Sequence, residues 1–285
     1  MPDTACTAPV TLASGTSLFW HQGDWQTAPF VDDRSSQFGD GLFETMRTDS
    51  HGSLPLWPWH RQRLQEGCER LHFPETALVD VETSLQQLTL PTSAGVKLLV
   101  SRGSSRQGYG YQRDGHVNLR WSAFVAPEWR VRQQPQGLCI GVNPVCLSPQ
   151  PLLAGLKHTN RLEQVLARGA FEPGWDESLM RLQQSDQVVE GTMSNLIWLE
   201  KGQALTPRVD QAGVNGVIRR WLMSQHVMTE AECTLARLKA ADGVILTNSI
   251  MGLVPVSQLE QTGFDRHNSS TSQLMTYQQS LEAMF

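Results

Sequence analysis

One stretch of composition constrains this chain more than any other. The run Pro127-Glu128-Trp129-Arg130-Val131-Arg132-Gln133-Gln134-Pro135 is charged, polar and flanked by prolines. It separates two strand-like patterns, the alternating run 117–125 before it and the apolar run 138–145 after it. A break of this kind reads as an interdomain linker. A length of 285 residues suffices for two modest domains. The expected division is a loose, polar arm at 1–17, an N-terminal α/β domain at 18–126, a linker at 127–136 and a C-terminal domain at 137–285.

In the first half, the glycines of Phe38-Gly39-Asp40-Gly41 mark a tight turn. Leu42, Glu44 and Met46 then alternate with Phe43, Thr45 and Arg47, which predicts a strand. Trp59-His60-Arg61-Gln62-Arg63-Leu64 opens a helix. Leu64, Cys68 and Leu71 recur at helical spacing on its inward face. Arg63 lies beside that stripe, where an arginine ordinarily snorkels to water. The run 96–100 predicts a further strand, followed by the polar loop Ser101-Arg102-Gly103-Ser104-Ser105-Arg106-Gln107-Gly108-Tyr109-Gly110.

In the second half a single lysine, Lys157, follows the apolar, Pro-rich lead-in Pro149, Pro151, Leu152 and Leu153. Leu162, Val165 and Leu166 then give one apolar helical face. Asn160 is the expected N-cap, with Glu163 three residues on completing a capping box. A lone lysine is usually a solvated charge. Apolar neighbours favour partial burial, which lowers an amine's pKa and makes it nucleophilic. Further on, Glu190 stands between Val188-Val189 and Gly191-Thr192; a carboxylate there must be paired or exposed, because burying it alone is costly. The loop Gln211-Ala212-Gly213-Val214-Asn215-Gly216 runs into a helix beginning near Val217, whose apolar face is Val217, Ile218, Trp221 and Leu222. A glycine-rich entry to a helix N-terminus can bind an anion. The run 243–256 reads as a strand, a polar corner at Asn248-Ser249, and a return. The tail from Ser272 is helical by Leu274, Tyr277, Leu281 and Met284.

Several function classes lose support. The net charge of −5 argues against a nucleic-acid binder. No apolar run approaches the ~20 residues of a membrane span, and no signal peptide is seen, so a cytoplasmic protein is expected. The five cysteines lack Cys-x-x-Cys spacing, and the eight histidines show no His-Glu-x-x-His. Neither a disulfide framework nor a metal site is expected. No nucleotide-binding glycine motif follows a strand.

The segment Lys157-His158-Thr159-Asn160-Arg161-Leu162-Glu163-Gln164-Val165-Leu166 resembles the Schiff-base lysine segment of the fold-type IV pyridoxal-phosphate enzymes, and within them the aminodeoxychorismate lyases. Phe38-Gly39-Asp40-Gly41-Leu42-Phe43-Glu44-Thr45 is similar to the same family's substrate-side signature. His60, Arg63 and Leu64 match its His-x-x-Arg-Leu, and Glu190-Gly191-Thr192-Met193-Ser194-Asn195-Leu196 matches its Glu-Gly-x-x-x-Asn-Leu. Gln211 to Arg219 resembles the lyase phosphate loop, and Thr247-Asn248-Ser249-Ile250-Met251-Gly252 a further family corner.

The resemblance implies a two-domain α/β fold of the D-amino-acid aminotransferase type, with a smaller N-terminal α/β domain and a larger, β-barrel-like C-terminal domain that binds pyridoxal 5'-phosphate. It implies Lys157 as the attachment lysine and Glu190 as partner of the ring nitrogen. Arg63, Ser249 and the amides of Val217 and Ile218 are implied as phosphate ligands, with Asn195 also at the cofactor. Thr45, Arg106, Gln107 and Tyr109 fall on the substrate side, and Gln107 stands where the family carries an arginine. The implied activity converts 4-amino-4-deoxychorismate to 4-aminobenzoate and pyruvate in a homodimer. A branched-chain or D-amino-acid transaminase of the same fold, and a non-catalytic binding relative, are the alternatives.

Overall fold

A computed structural model describes residues 9–104, 108–126 and 137–285. The linker expected at 127–136 lies outside the described residues, as do Arg106 and Gln107. The described residues fall into two units. One is drawn from Met1–Ala126 with Lys157–Asn160 and Phe285, the other from Pro127–Leu156 with Arg161–Met284. No helix among the described residues is long and apolar enough to cross a membrane.

The first unit contains β1 (Val10–Thr11), β2 (Ser17–His21), β3 (Asp24–Gln26), α1 (Arg34–Phe38), β4 (Gly41–Arg47), α2 (Trp57–Arg70), α3 (Ala77–Gln86), β5 (Leu88–Thr89), β6 (Gly95–Ser101) and β7 (Asn118–Phe124). Its main sheet runs β3-β2-β7-β6-β4, so β4 is an edge strand. The period-two alternation decides which face is covered. Leu42, Met46, Val96, Leu98, Val100, Leu119 and Trp121 are buried and share one core with Leu64 and Cys68 of α2 and with Ala77 and Val81 of α3. Trp121 is fully buried, and its indole N–H donates to Ser84 Oγ at 2.9 Å, as a buried donor requires. The arm expected to be loose is built in over its described part: Val10–Thr11 pairs in parallel with Leu88–Thr89, and Leu12 is buried in the core. Backbone pairing across distant residues overrides the weak local signal there.

The second unit contains β8 (Leu138–Val142), α4 (Leu162–Gly169), β9 (Glu177–Arg181), β10 (Val188–Gly191), β11 (Asn195–Glu200), β12 (Gln203–Pro207), α5 (Val217–Ser224), β13 (Met228–Ala231), α6 (Leu235–Lys239), β14 (Gly243–Asn248), β15 (Gly252–Leu259), β16 (Thr262–Gly263) and α7 (Ser269–Glu282). The strands form one nine-stranded sheet, β10-β9-β8-β15-β14-β11-β12-β13, with β16 beside β15. Continuous burial along Asn195–Leu199 and Gly243–Thr247 marks these as central strands. Leu196, Trp198, Val244, Leu246, Val254 and Val256 make their core. The expected helix at Val217 is present, and its face Val217, Ile218, Trp221 and Leu222 is buried. Of the C-terminal helix, α7, Leu274 and Leu281 are buried, and Gln278 Oε1 accepts from Leu253 N at 2.7 Å.

The expectation for the helix after Lys157 needs two corrections. Asn160 is not its N-cap. The cap is Arg161 without a side-chain bond; Asn160 Nδ2 instead donates to Gly39 O at 2.9 Å, and Glu163 accepts from Ser148 N at 2.8 Å. The periodic stripe is real, but it faces outward: Leu162, Val165 and Leu166 are 77%, 61% and 63% exposed. Periodicity reports that a face is apolar; it does not report what covers it.

Candidate active site

Lys157 is placed by an edge strand. An unpaired edge offers a row of N–H and C=O groups, and residues 157–159 complete it along β4. Phe43 N donates to Lys157 O at 2.9 Å, and Thr159 N donates to Gly41 O at 2.9 Å, with Leu42 and His158 as an antiparallel bridge. Thr159 Oγ1 adds a bond to Gly39 O at 2.6 Å. Gly39 sits at φ 67, the left-handed C-cap of α1. A Cβ there would lie 2.2 Å from Asn160 Oδ1. The glycine of the turn thus also makes room for the chain that carries the lysine. Lys157 is half-buried, and its Nζ lies 4.3 Å from the centroid of the Phe43 ring, within cation–π range. On the same face of the sheet, Thr45 is half-buried opposite Lys97, whose Nζ is 4.9 Å from that ring. Burial, and then the Arg120 charge, lower the pKa of Lys97. Lys97 was not singled out from sequence.

The alternation of β4 turns Glu44 to the other face, under α2. Glu44 is 1% exposed, and it accepts from His60 Nδ1 at 2.6 Å, from Arg63 Nε at 2.8 Å and from Arg63 Nη2. Burial pushes this carboxyl up, but the Arg63 and His60 charges and hydrogen bonds outweigh it, and the pKa is lowered to about 2. Burial first, opposed by Glu44, lowers that of His60. An ionised Glu44 can only accept, so neutral His60 carries its proton on Nδ1. Arg63 is buried rather than snorkelling, with its fork held by Glu44. Sequence reasoning missed Glu44 as its partner and His60 as the second side chain on that carboxylate. The signal was available: His60 and Arg63 share one helix face, and Glu44 lies on the inward set of the strand.

The aspartate of the Gly-Asp-Gly turn is an anchor. Asp40 accepts from Arg34 Nε at 2.7 Å and from Arg102 Nε at 2.9 Å. Arg34 also donates to the carbonyls of Gly108, Tyr109 and Gly110. Tyr109 is 85% exposed, its ring 5.2 Å from that of Phe38.

In the second unit Glu190 is buried at 4%, so the water-facing alternative fails. Its Oε2 accepts from Val214 N at 2.8 Å, and Asn195 Nδ2 donates to Val214 O at 2.8 Å. One residue is therefore gripped at both backbone groups, and the glycine loop is fixed just before α5. The glycines are needed there. A Cβ on Gly213, at φ +84, would lie 2.7 Å from Val189 Cγ1, and one on Gly216 would lie 1.9 Å from Asn195 Oδ1. Gly216 caps α5 without a side-chain bond, so no cap side chain covers the first amides of the helix, which begin with Val217 and Ile218. Behind them buried Arg219 binds Asn215 Oδ1, Pro207 O and Glu230. Ser249 is half-buried in the corner after β14, where Asn248 Oδ1 accepts from Ile250 N and Met251 N at 2.9 Å each.

In the first unit the donor types are a half-buried amine, suited to an aldehyde, and a pre-oriented guanidinium, suited to a phosphate. In the second they are a buried carboxylate, suited to a basic ring nitrogen, and an uncapped helix start and a hydroxyl at a turn, suited to a phosphate.

Comparison with known proteins is concordant. The amino-transferase class IV family profile matches residues 41–259. The chain is 35% identical over 247 residues to an aminodeoxychorismate lyase of Vibrio harveyi, covering 84% of this chain and 90% of that one. It is 24% identical over 256 residues to a probable branched-chain-amino-acid aminotransferase of Thermotoga maritima, covering 87% and 89%. The crystal structure of 4-amino-4-deoxychorismate lyase from Pseudomonas aeruginosa superposes with a TM-score of 0.79 at 34% identity, covering 91% of this chain and 98% of that one.

Proposed function

This chain belongs to the amino-transferase class IV family, and from that premise we propose that it is a pyridoxal-phosphate-dependent lyase. Its reaction converts 4-amino-4-deoxychorismate to 4-aminobenzoate and pyruvate, a step toward folate. The observation that carries the choice within the family is the 35% identity to a lyase over most of both chains, against 24% to a branched-chain aminotransferase. The half-buried amine of Lys157 beside Phe43 and the buried carboxylate of Glu190 supply the chemistry that such a reaction needs.

Pyridoxal phosphate, when bound, supplies an aldehyde for covalent attachment and a cationic ring that draws electrons from the carbon bearing the substrate's nitrogen. Lys157 Nζ would be the attachment atom, and its freed amine would be the base that takes the proton from that carbon. The Glu190 carboxylate would pair with the ring nitrogen and keep it protonated. Arg63, the Val217 and Ile218 amides and Ser249 would hold the phosphate, with Glu44 keeping the Arg63 fork oriented. Asn195 serves the cofactor through its hold on the Val214 carbonyl. Thr45 and Tyr109 face the substrate. Its enolpyruvyl ether leaves as pyruvate with a proton returned from Lys157 Nζ. Aromatisation of the six-membered ring makes the step strongly downhill. The proposed setting is cytoplasmic and homodimeric; the exposed stripe Leu162, Val165 and Leu166 supports a covered face in an assembly.

The test is a visible spectrum of the purified protein before and after borohydride, with the labelled peptide identified, alongside turnover assays. A reducible band mapped to Lys157, pyruvate from aminodeoxychorismate, and loss of both in Lys157→Ala are expected. Amino transfer from L-leucine or D-alanine to a keto acid, without pyruvate from aminodeoxychorismate, would make it a transaminase. A colourless protein even after added cofactor would leave only a binding relative.

A further inference from the structure

A further buried glutamate binds the turn that follows Glu190. Glu177, at the start of β9, is 2% exposed. Its Oε1 accepts from Ser178 N at 2.9 Å, from Thr192 N at 3.1 Å and from Thr192 Oγ1 at 2.5 Å. Its Oε2 accepts from Met193 N and Ser194 Oγ, each at 3.3 Å. A buried carboxylate is tolerated only when its lone pairs are met, and successive turn amides form a ready cradle for an anion. Gly191 makes the approach possible: a Cβ there would lie 2.3 Å from Ser194 Oγ and 3.2 Å from the Glu177 side chain. Arg168 of α4 adds a guanidinium 3.8 Å from Oε1 and touches Met193 Sδ at 3.9 Å.

The turn that Glu177 ties together joins Glu190 to Asn195. Those two residues grip the amide and the carbonyl of Val214, two residues before the Gly216 cap of α5. We infer that Glu177 is a positioning residue: by closing the 191–194 turn, it holds in one geometry both the carboxylate that faces the cofactor's ring nitrogen and the loop that presents the phosphate amides. The inference rests on the proposed cofactor role of this site. It makes the two ends of the cofactor energetically linked through one carboxylate that touches neither. Glu177→Gln keeps the shape, removes the charge and turns an NH2 toward turn N–H donors. The strained turn then moves Glu190 and Val214 together.

The experiment compares wild type, Glu177→Gln and a core control, Leu259→Ala, in the same unit. It reads the dissociation constant of pyridoxal phosphate by absorbance titration. It also reads the protonation of the ring nitrogen by 15N NMR of bound, ring-labelled cofactor. Glu177→Gln is expected to weaken cofactor binding by roughly tenfold, the scale of one charge-assisted hydrogen-bond set, and to lower the protonated fraction of the ring. Leu259→Ala, matched or greater in its loss of melting temperature, should change neither. A Glu177→Gln protein that behaves like the control overturns the inference, and so does a change in only one readout. Should Glu177→Gln not fold, the double variant T192V/S194A removes two hydroxyl donors and keeps the carboxylate. A smaller shift of both readouts in the same direction supports the inference; no shift overturns it. A wild type that binds no cofactor, or binds it with an unprotonated ring, fails at the earlier step and sinks the functional reading itself.

Discussion

Replacing Glu44 with Gln tests the buried pair beneath β4. Gln keeps the volume and one acceptor but leaves Arg63 without a counter-charge and His60 without its carboxylate acceptor. The magnitude follows from the structure in two ways. A carboxyl lowered from 4.5 to about 2 represents about 3 kcal/mol of stability at neutral pH. Removing one partner of a buried ion pair costs about 3–5 kcal/mol. The two figures agree in scale. The sign is definite. Because the folded pKa lies below the unfolded one, this stability is present in full above pH 4.5 and disappears as the pH falls toward 2. Lowered by burial, His60 adds a milder loss that starts below 6.5, where the unfolded chain takes up a proton first. Urea unfolding followed by tryptophan fluorescence, repeated from pH 8 to pH 3, reads both. Wild type should lose stability gently below 6.5 and more steeply below 4.5. Glu44→Gln should start about 3 kcal/mol lower at pH 7 and lack the steeper limb. A variant within ~1 kcal/mol of wild type at pH 7, or one that keeps the steep limb, would show that Glu44 and Arg63 are not a buried pair.

The other expectations are local. Gly39→Ala must put a Cβ at φ 67, against Asn160 Oδ1. It should cost about 1–3 kcal/mol and lower turnover by loosening the Lys157 segment; an unchanged melting curve would contradict the turn geometry. Burial raises the thiol of Cys68 to about 12 and that of Cys233 further still. Both should stay unmodified by iodoacetamide at pH 8 while the protein is folded, as peptide mass spectrometry can check. Rapid labelling of either would refute their burial.

Much of the local plan was legible in the sequence. The strand Gly41–Arg47, with its inward set Leu42, Glu44 and Met46, follows from alternation. The helix at Val217 follows from a glycine-rich entry and a four-residue apolar face. Both signals are contained within a few adjacent residues, where side-chain spacing and backbone freedom act directly. Lys157, Glu190 and the glycine-rich loop before Val217 could be singled out for the same reason, since each stands in a short run with its own chemistry.

Tertiary structure decided what each of these residues touches. Asn160 looked like a cap, yet its side chain goes to Gly39, which lies more than a hundred positions away. Leu162, Val165 and Leu166 form an apolar stripe, but packing left it outside. Arg63 acquires its orientation from Glu44, which His60 also binds, and Val214 is held at both ends by residues from two strands. A sequence specifies local conformation through torsions and short-range bonds. The partner of a buried charge is chosen when distant segments meet, because only then does desolvation make an unpaired group costly.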